Sequence, residues 1–164
     1  MSALREQLKR YKEENQKFRL KDAVKFLNVS EEEIITVDEA LEVCDIGRDF
    51  AKIFDYVKKL GKVRAISRTR YGVMSTEGIF KNVKIHGMRG VTSGPGIDIR
   101  LQLYTWNNSY AVKKKLAHKE EIVRSIQFCN QQGKIAHKID LTEDSNIGAF
   151  DEMINDLGSS VREN

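Results

Sequence analysis

The stretch GPGIDIRLQLYTW, residues 94–106, decides how the rest of the chain is interpreted. It contains the only proline and the only tryptophan of the sequence, and the longest regular two-residue alternation. The alternation separates an apolar set, Ile97, Ile99, Leu101 and Leu103, from a polar set, Asp98, Arg100, Gln102 and Tyr104. Because successive side chains of a strand point to opposite faces, the pattern predicts a strand over Ile97–Trp106 with one buried and one polar face. Such a strand can form the floor of a binding site.

Composition limits the classes of protein to which the chain can belong. Its 164 residues, with 28 basic and 24 acidic side chains and a formal net charge of +4, fit one domain over 1–164. The excess charge is small and dispersed, so an anionic small ligand suits the chain as well as nucleic acid does.

Cys44 and Cys129 are far apart and form no CxxC pair, which argues against a disulfide framework or structural zinc and for a reducing compartment. The start of the chain lacks the apolar core of a signal peptide, and no run approaches the ~20 apolar residues of a membrane span. A soluble, cytoplasmic protein without membrane insertion is predicted.

Residues 1–60 are predicted to be mainly helical, because apolar residues recur at helical spacing. The predicted helices are residues 3–15, 19–29, a short helix behind the capping box Ser30–Glu33, and 48–60, with a connection or short strand over 37–45. Gly61 is expected to end the last of these helices in a left-handed conformation.

Beyond Gly61 the period becomes two, which predicts an antiparallel sheet over 61–141. The predicted strands are Val63–Thr69, Tyr71–Thr76, Ile79–Ile85, Ile97–Trp106, Ser109–Lys113, Ile122–Asn130 and Lys134–Leu141, with turns at 77–78, 107–108 and 131–133. A final helix over 144–158, capped by Asp144 or Ser145 and ended by Gly158, is expected to cover one face. The predicted fold class is α+β: N-terminal helices, a meandering antiparallel sheet and a covering C-terminal helix.

The N-terminal helices also resemble the start of a helix-turn-helix, with Asn28–Ser30 as the turn. The helix that would enter the DNA groove begins with Glu31, Glu32 and Glu33, which would face phosphates with like charge. A packing role is therefore favoured over nucleic-acid binding.

The sequence lacks the motifs of phosphate-loop, dinucleotide-binding and nucleophile-elbow enzymes. It has no GxxxxGK[ST], GxGxxG or GxSxG motif, and its histidines, His86, His118 and His137, lack metal-ligand spacing. Alternation places His137 on the inner face of its strand, where a core residue is more typical than a ligand. His86 is expected to be better exposed, and His118 lies in a polar loop.

Arg100 is the most suggestive charged residue, because it stands on the polar side of the strand together with Tyr104. A guanidinium in this position can hold a carboxylate through two parallel hydrogen bonds. A cross-strand ion pair with an Asp or Glu is the alternative, and spacing alone leaves both open.

With this strand in view, the sequence resembles the haem-utilisation family that includes HemS, ChuS, ChuX and HutX. The matching stretches, in order, are RLKDAVKFLNVSEEEI, LGKVRAISRTRYGV, GIFKNVKIHG, GPGIDIRLQLYTWNNSYAV and RSIQFCNQQGKIAHKIDLTEDSNIGAF. They extend over nearly the whole chain, which is similar to the first half of a two-half HemS protein.

The resemblance implies an intracellular haem-binding protein that serves haem trafficking, storage or utilisation in iron acquisition, and a homodimer that recreates the pairing of the two halves. It implies that Arg100, Trp106 and His137 correspond to the arginine of the family's IDLR strand, the following tryptophan and the histidine of its HKVY stretch. Tyr104, with Trp106 and Phe80, could form an aromatic wall for haem.

The sequence departs from the family pattern at the positions that concern the iron. Thr105 stands where a histidine commonly precedes the tryptophan, and Gly87-Met88 replaces a glycine-histidine pair, with His86 displaced. Nothing aligns with the iron-binding histidine of the two-half proteins. His86, Tyr104 and Tyr110 remain as candidate iron ligands. Haem degradation with an external reductant is the alternative activity, but no redox-cofactor motif accompanies it, so binding is favoured.

Overall fold

Apolar stripes at helical spacing fold the start of the chain into short helices that pack on one another. The protein is described by a computed structural model that covers residues 2–93, 96–116 and 120–161. The N-terminal helices are α1 (Ser2–Glu14), α2 (Leu20–Leu27) and α3 (Glu31–Val37). Leu8, Tyr11, Ala23, Ile34 and Val37 form their shared buried core.

The acidic first turn of α3 packs against the protein's own sheet. Ser30 Oγ accepts a hydrogen bond from the backbone N–H of Glu33 at 3.1 Å, and the Glu33 side chain accepts from the Ser30 N–H, so the predicted capping box forms. Glu31 accepts a hydrogen bond from a backbone N–H of a neighbouring strand, and Glu32 accepts one from the Tyr110 hydroxyl. The predicted packing role of this helix is confirmed.

Alternating residues beyond Gly61, and a stretch before it, form two antiparallel sheets. The strands of the described residues are β1 (Leu41–Gly47), β2 (Gly61–Thr69), β3 (Gly72–Ile79), β4 (Asn82–His86), β5 (Arg89–Ser93), β6 (Ile99–Gln102), β7 (Trp106–Lys115), β8 (Ile122–Asn130), β9 (Ile135–Ser145) and β10 (Ser159–Ser160). The large sheet has the order β10-β1-β7-β8-β9-β2-β3, and the small sheet has the order β4-β5-β6. The predicted α+β fold class is confirmed.

Helices α4 (Phe50–Val57) and α5 (Ile147–Leu157) cover one face of the large sheet. Asp49 caps α4 by accepting a hydrogen bond from the Lys52 N–H, and Gly61 beyond it has the expected positive φ of 76°. The cap of α5 is Asn146 rather than Asp144 or Ser145. The Ser145 hydroxyl instead donates to a backbone carbonyl of β2.

An aromatic cluster of Phe50, Phe54, Trp106 and Phe128 lies between the large sheet and the elements that cover it. The Phe128 ring centroid is 4.6 Å from that of Trp106 and 5.6 Å from that of Phe54, to which it is stacked. The small sheet packs its apolar side on the same core through Leu101, with Val83, Ile85 and Ile99 half-buried against it. The opposite face of the large sheet is covered in part by α3, against Tyr110, Val112, Cys129 and Ile135.

The prediction of one strand over Ile97–Trp106 is wrong. Strand β6 ends at Gln102, a 3₁₀ turn occupies Leu103–Thr105, and β7 begins at Trp106 in the other sheet. Thr105 Oγ1 donates to the Gln102 carbonyl at 2.7 Å, which stabilises the turn. The alternation is local, so it continues through the point at which the chain passes from the small sheet to the large one.

Other boundaries also differ from the sequence predictions. Residues 77–78 lie inside β3, and residues 107–108 lie inside β7, where the pairing register shifts between Trp106 and Asn108 as in a β-bulge. Strand β5 was not predicted, because Gly90 interrupts its short pattern. Gly94, Pro95 and His118 lie outside the described residues.

Truncation of Phe128 tests the role of the aromatic cluster. Phe128 is fully buried, so we expect Phe128→Ala to lower the free energy of unfolding by about 3–5 kcal/mol in chemical denaturation. Phe26→Ala is the control, because Phe26 is 70% exposed and its ring contact is with Tyr11, so it should change stability by under about 1.5 kcal/mol. Equal losses for the two variants would contradict this account of the core.

Candidate functional site

The outward side of the small sheet gathers basic residues from all its strands. We call the set Lys84, His86, Arg89, Val91, Arg100 and Gln102 the cationic face. The register places Val91 directly opposite both Lys84 and Arg100, and Arg89 directly opposite both His86 and Gln102. All these side chains are exposed, whereas the alternate positions on the same strands are half-buried or buried. The face therefore presents cations and an imidazole around an apolar centre at Val91.

The orientation of this face follows from packing on the other side of the small sheet. Leu101 is buried, and Val83, Ile85 and Ile99 pack against the core. A Cβ on Gly90 would lie 3.3 Å from side-chain atoms of both Ile85 and Leu101, so the inner side leaves little space at that position. Because side chains alternate along each strand, the inward apolar set fixes Arg100 and its neighbours on the outside.

The charges of the cationic face are not neutralised locally. In the part of the chain that the structure describes, no carboxylate forms an ion pair with Lys84, Arg89 or Arg100. The cross-strand neighbour of Arg100 is Val91, so the ion pair that spacing left open is not found among these residues. Arg64, by contrast, pairs with Glu77 at 2.8 Å. Cations held on adjacent strands without counter-charges favour an anionic ligand.

The rim of the cationic face adds aromatic and thioether groups. Met88, in the turn between β4 and β5, is 48% exposed, and Tyr104 is 47% exposed. The Tyr104 backbone N–H donates to the Met88 carbonyl at 3.2 Å, and the Tyr104 hydroxyl donates to Gln102 Oε1 at 3.3 Å. Gln131 donates to the Tyr104 carbonyl from the β8–β9 turn. These contacts hold Tyr104 beside the cationic face, where its ring can contact a flat ligand.

Trp106 and His137 lie in the core rather than on this face. Trp106 is packed against the rings of Phe50 and Phe128, and Phe80, the third proposed wall residue, is also fully buried. His137 is 4% exposed, and its ring is parallel to Trp106 at 5.8 Å between centroids. The structure therefore does not bring these three aromatic or imidazole side chains together with Arg100 on one accessible surface.

Buried polar contacts define the roles of His137 and Tyr110. His137 Nδ1 is 3.0 Å from Ser67 Oγ, and burial lowers the pKa of His137 to about 4, so the imidazole is neutral near pH 7. Burial and the hydrogen bond to Glu32 raise the pKa of Tyr110 above its ordinary value. A tyrosine must lose its hydroxyl proton to bind iron as a tyrosinate. The raised pKa therefore opposes iron binding by Tyr110. Of the three candidate iron ligands, His86 and Tyr104 lie at the cationic face.

Several residues of this face were missed by the sequence reasoning, namely Lys84, Met88, Arg89 and Val91. The alternation in NVKIH already separated Lys84 and His86 from Val83 and Ile85. The positive φ of 59° at Gly87 marks the hairpin that returns the chain at Arg89. Recognising that hairpin would have placed Arg89 and Arg100 on neighbouring strands.

The described residues contain neither a metal-binding cluster nor a membrane-spanning helix. Among them, no group of three or more His, Cys, Asp or Glu side chains is arranged to hold a metal ion. Within the same residues, no helix has the length and apolar content needed to cross a bilayer.

The fold and the cationic face define a class of small α+β protein with a basic sheet surface, and comparisons with known proteins identify its family. The chain matches the haemin-degrading HemS.ChuX domain over residues 28–157. It is 25% identical over 135 residues to the hemin transport protein HmuS of Yersinia pestis, a match that covers 82% of this chain and 39% of HmuS. The chain belongs to the HemS/ChuX family.

Solved structures show the same fold. Holo-PhuS, a heme-binding protein from Pseudomonas aeruginosa, gives a TM-score of 0.87 at 28% identity, covering 97% of this chain and 46% of PhuS. The heme-binding protein ChuX gives a TM-score of 0.72 and is covered to 98%, at 16% identity, which shows the common fold alone. The chain therefore spans less than half the length of HmuS and PhuS but nearly all of ChuX.

The buried His137 predicts a specific pH dependence of stability. Its pKa is about 4 in the folded protein and near 6.5 when the chain unfolds, so between these values the unfolded state binds more protons. Stability should therefore be complete above about pH 6.5 and should fall by up to about 3 kcal/mol as pH decreases to 4. Denaturation of His137→Gln across this range should show a smaller decrease.

The control for this experiment is Phe128→Leu, which perturbs the same cluster without removing a titrating group. It should lose a similar amount of stability at every pH and keep the dependence of the parent protein. A His137→Gln protein with an unchanged pH dependence would show that His137 does not titrate as described.

Proposed function

We propose that this protein binds haem on the cationic face and acts as an intracellular haem carrier in haem trafficking, storage or utilisation. The observation that carries the proposal is the position of Arg100. It is exposed, lies next to Val91, and has no carboxylate partner among the residues that the structure describes. Family membership and the haem-binding relatives support haem as the ligand.

The chemistry of haem suits this surface. Haem has two carboxylates at one edge and a flat apolar face, so its site needs cations at the rim and apolar contacts beside them. Arg100 and Arg89 can each hold a carboxylate through paired N–H donors, and Lys84 adds a third positive charge. Val91, Met88 and Tyr104 offer apolar surface next to these cations.

His86 is the residue that we propose as the iron ligand. It is exposed on the same face as Arg100, and Arg89 is its cross-strand neighbour. An imidazole nitrogen is a common axial ligand of haem iron. Tyr104 is the alternative ligand at this surface, and the core positions of His137 and Tyr110 argue against direct ligation by either.

A haem-degrading enzyme is the second candidate function, because the matching family model describes a haemin-degrading domain. The open surface of the cationic face would leave a bound haem accessible to water and to a small reductant. The residues of this face can bind and orient haem. We found among them no additional group that would direct its oxidation, so carriage is the preferred function.

The proposal includes location and assembly. The cytoplasm is supported by two free cysteines, Cys44 and Cys129, which suit a reducing compartment. A homodimer is supported by the size relation to the relatives, since PhuS is about twice as long as this chain.

Haem titration of Arg100→Ala tests the proposed site. We expect the parent protein to shift the Soret band of haemin and saturate near one haem per chain, and Arg100→Ala to weaken binding roughly tenfold through loss of a charge-assisted hydrogen bond. His86→Ala should still bind but with an altered Soret position. The matched control is Arg64→Ala, which removes an arginine paired with Glu77 on the other sheet and should bind as the parent protein does.

An unchanged haemin spectrum with the parent protein would contradict haem binding, and equal effects of Arg64→Ala and Arg100→Ala would contradict the site. Adding ascorbate to the complex separates the two functions. A carrier retains its Soret band, whereas a degrading enzyme loses it in a reaction that catalase does not prevent. Bleaching that catalase abolishes would indicate damage by free peroxide.

A further inference from the structure

Strand β3 is the terminal strand of the large sheet, and its outer edge carries no pairing strand among the described residues. We propose that this edge, over Gly72–Thr76, pairs antiparallel with the β3 edge of a second copy of the chain, with the two-fold axis near Met74. The inference rests on the homodimer included in the proposed function and names its interface. The other terminal strand, β10, has two residues and offers a much shorter edge.

The exposure of this segment is unusual for a strand of a folded sheet. Every residue from Gly72 to Glu77 is exposed. Val73 is 63% exposed, Met74 is 77% exposed, and the adjacent Tyr71 is 83% exposed. Large apolar side chains clustered on an unpaired strand mark a surface for association.

The edge also lacks the features by which sheet proteins prevent edge-to-edge pairing. Residues 72–76, GVMST, contain no charged side chain and no proline. The pairing of β2 with β3 runs from Lys62–Ile79 to Thr69–Gly72 without a register shift, so no bulge twists the edge away. The segment can therefore pair with another strand without a change in its backbone conformation.

The loop before β6 limits which part of β3 is available. Thr76 Oγ1 donates to the Gly96 carbonyl at 2.8 Å, and a Cβ on Gly96 would lie 2.2 Å from the Glu77 carbonyl oxygen. Gly96 thus packs directly on the backbone at Glu77 and Gly78, which leaves 72–76 for pairing. An antiparallel pair centred in this range sets Met74 of one copy opposite Met74 of the other.

Charge complementarity favours a second copy in the antiparallel orientation. Arg68 and Arg70 precede β3, and Glu77, which already pairs with Arg64 of its own chain, lies near its end. Antiparallel pairing brings the Glu77 carboxylate of each copy towards the arginines of the other, so that it can be shared between them. Arg68 has no ion pair within the described part of the chain, and the Arg70 guanidinium stacks on the ring of Tyr71 at 4.8 Å. Parallel pairing would instead bring the arginines of both copies together.

Sedimentation equilibrium of charge variants tests this interface. The parent protein is expected to be a dimer, and Met74→Lys should weaken the dimer by at least about tenfold, because it places two like charges at the axis. Phe26→Lys is the matched control, since Phe26 is 70% exposed on α2 and its replacement should leave the dimer intact. Circular dichroism checks that each variant is folded.

Cysteine cross-linking tests the register independently of stability. In a Cys44→Ser background, Met74→Cys should form a disulfide-linked dimer on mild oxidation, because opposed residues near the axis approach within disulfide range. Ile122→Cys, at an exposed position of β8, should not.

The outcomes separate this inference from the proposed function. A monomeric parent protein would overturn the inference and the homodimer together. A dimer that persists in Met74→Lys, or that gives no cross-link from cysteines at 73, 74 or 75, would overturn the β3 interface and leave the homodimer standing. Haem titration of Met74→Lys reports on the cationic face alone, since no residue of that face lies in the edge.

Discussion

The packing of the small sheet on the aromatic cluster is the constraint on which the rest of the structure depends. Leu101 is buried in the core that contains Trp106 and Phe128. Because neighbouring side chains on a strand point to opposite sides, burial of Leu101 holds Arg100 in solvent. A slip of one residue would bury an arginine and expose a leucine, which makes the register strongly specified. The cationic face is thus a consequence of how the core is filled.

This arrangement divides the aromatic and basic residues between two tasks. The largest buried aromatic groups, with His137, form the interior and stabilise the fold, whereas the residues that we propose to bind haem lie on an exterior surface. A surface of this kind holds a ligand through a few charged contacts and some apolar area rather than by enclosure. Such binding suits a protein that accepts haem and later releases it.

The sequence predicted much of the fold but less of the site. The faces of 97–104 are right, since alternation reports burial directly: Ile97, Leu101 and Leu103 are buried and Arg100 is exposed. The extent of the strand was wrong, because periodicity does not show where a chain changes sheets at Leu103–Thr105. Trp106 and His137 entered through family resemblance, which aligns residues without showing their burial. Arg89 was missed because its position beside Arg100 depends on a hairpin and on long-range pairing, neither of which a local pattern contains.

Haem is proposed to bind to the outward side of β4–β6. The most direct measurement is amide chemical-shift mapping of the isotope-labelled protein titrated with gallium protoporphyrin IX, a diamagnetic analogue of ferric haem with the same two carboxylates. Binding at the cationic face should place the largest chemical-shift changes at residues 84–91 and 99–104, with few on α1–α3. Shifts concentrated on the N-terminal helices or on the opposite face of the large sheet, with the β4–β6 residues unchanged, would contradict it.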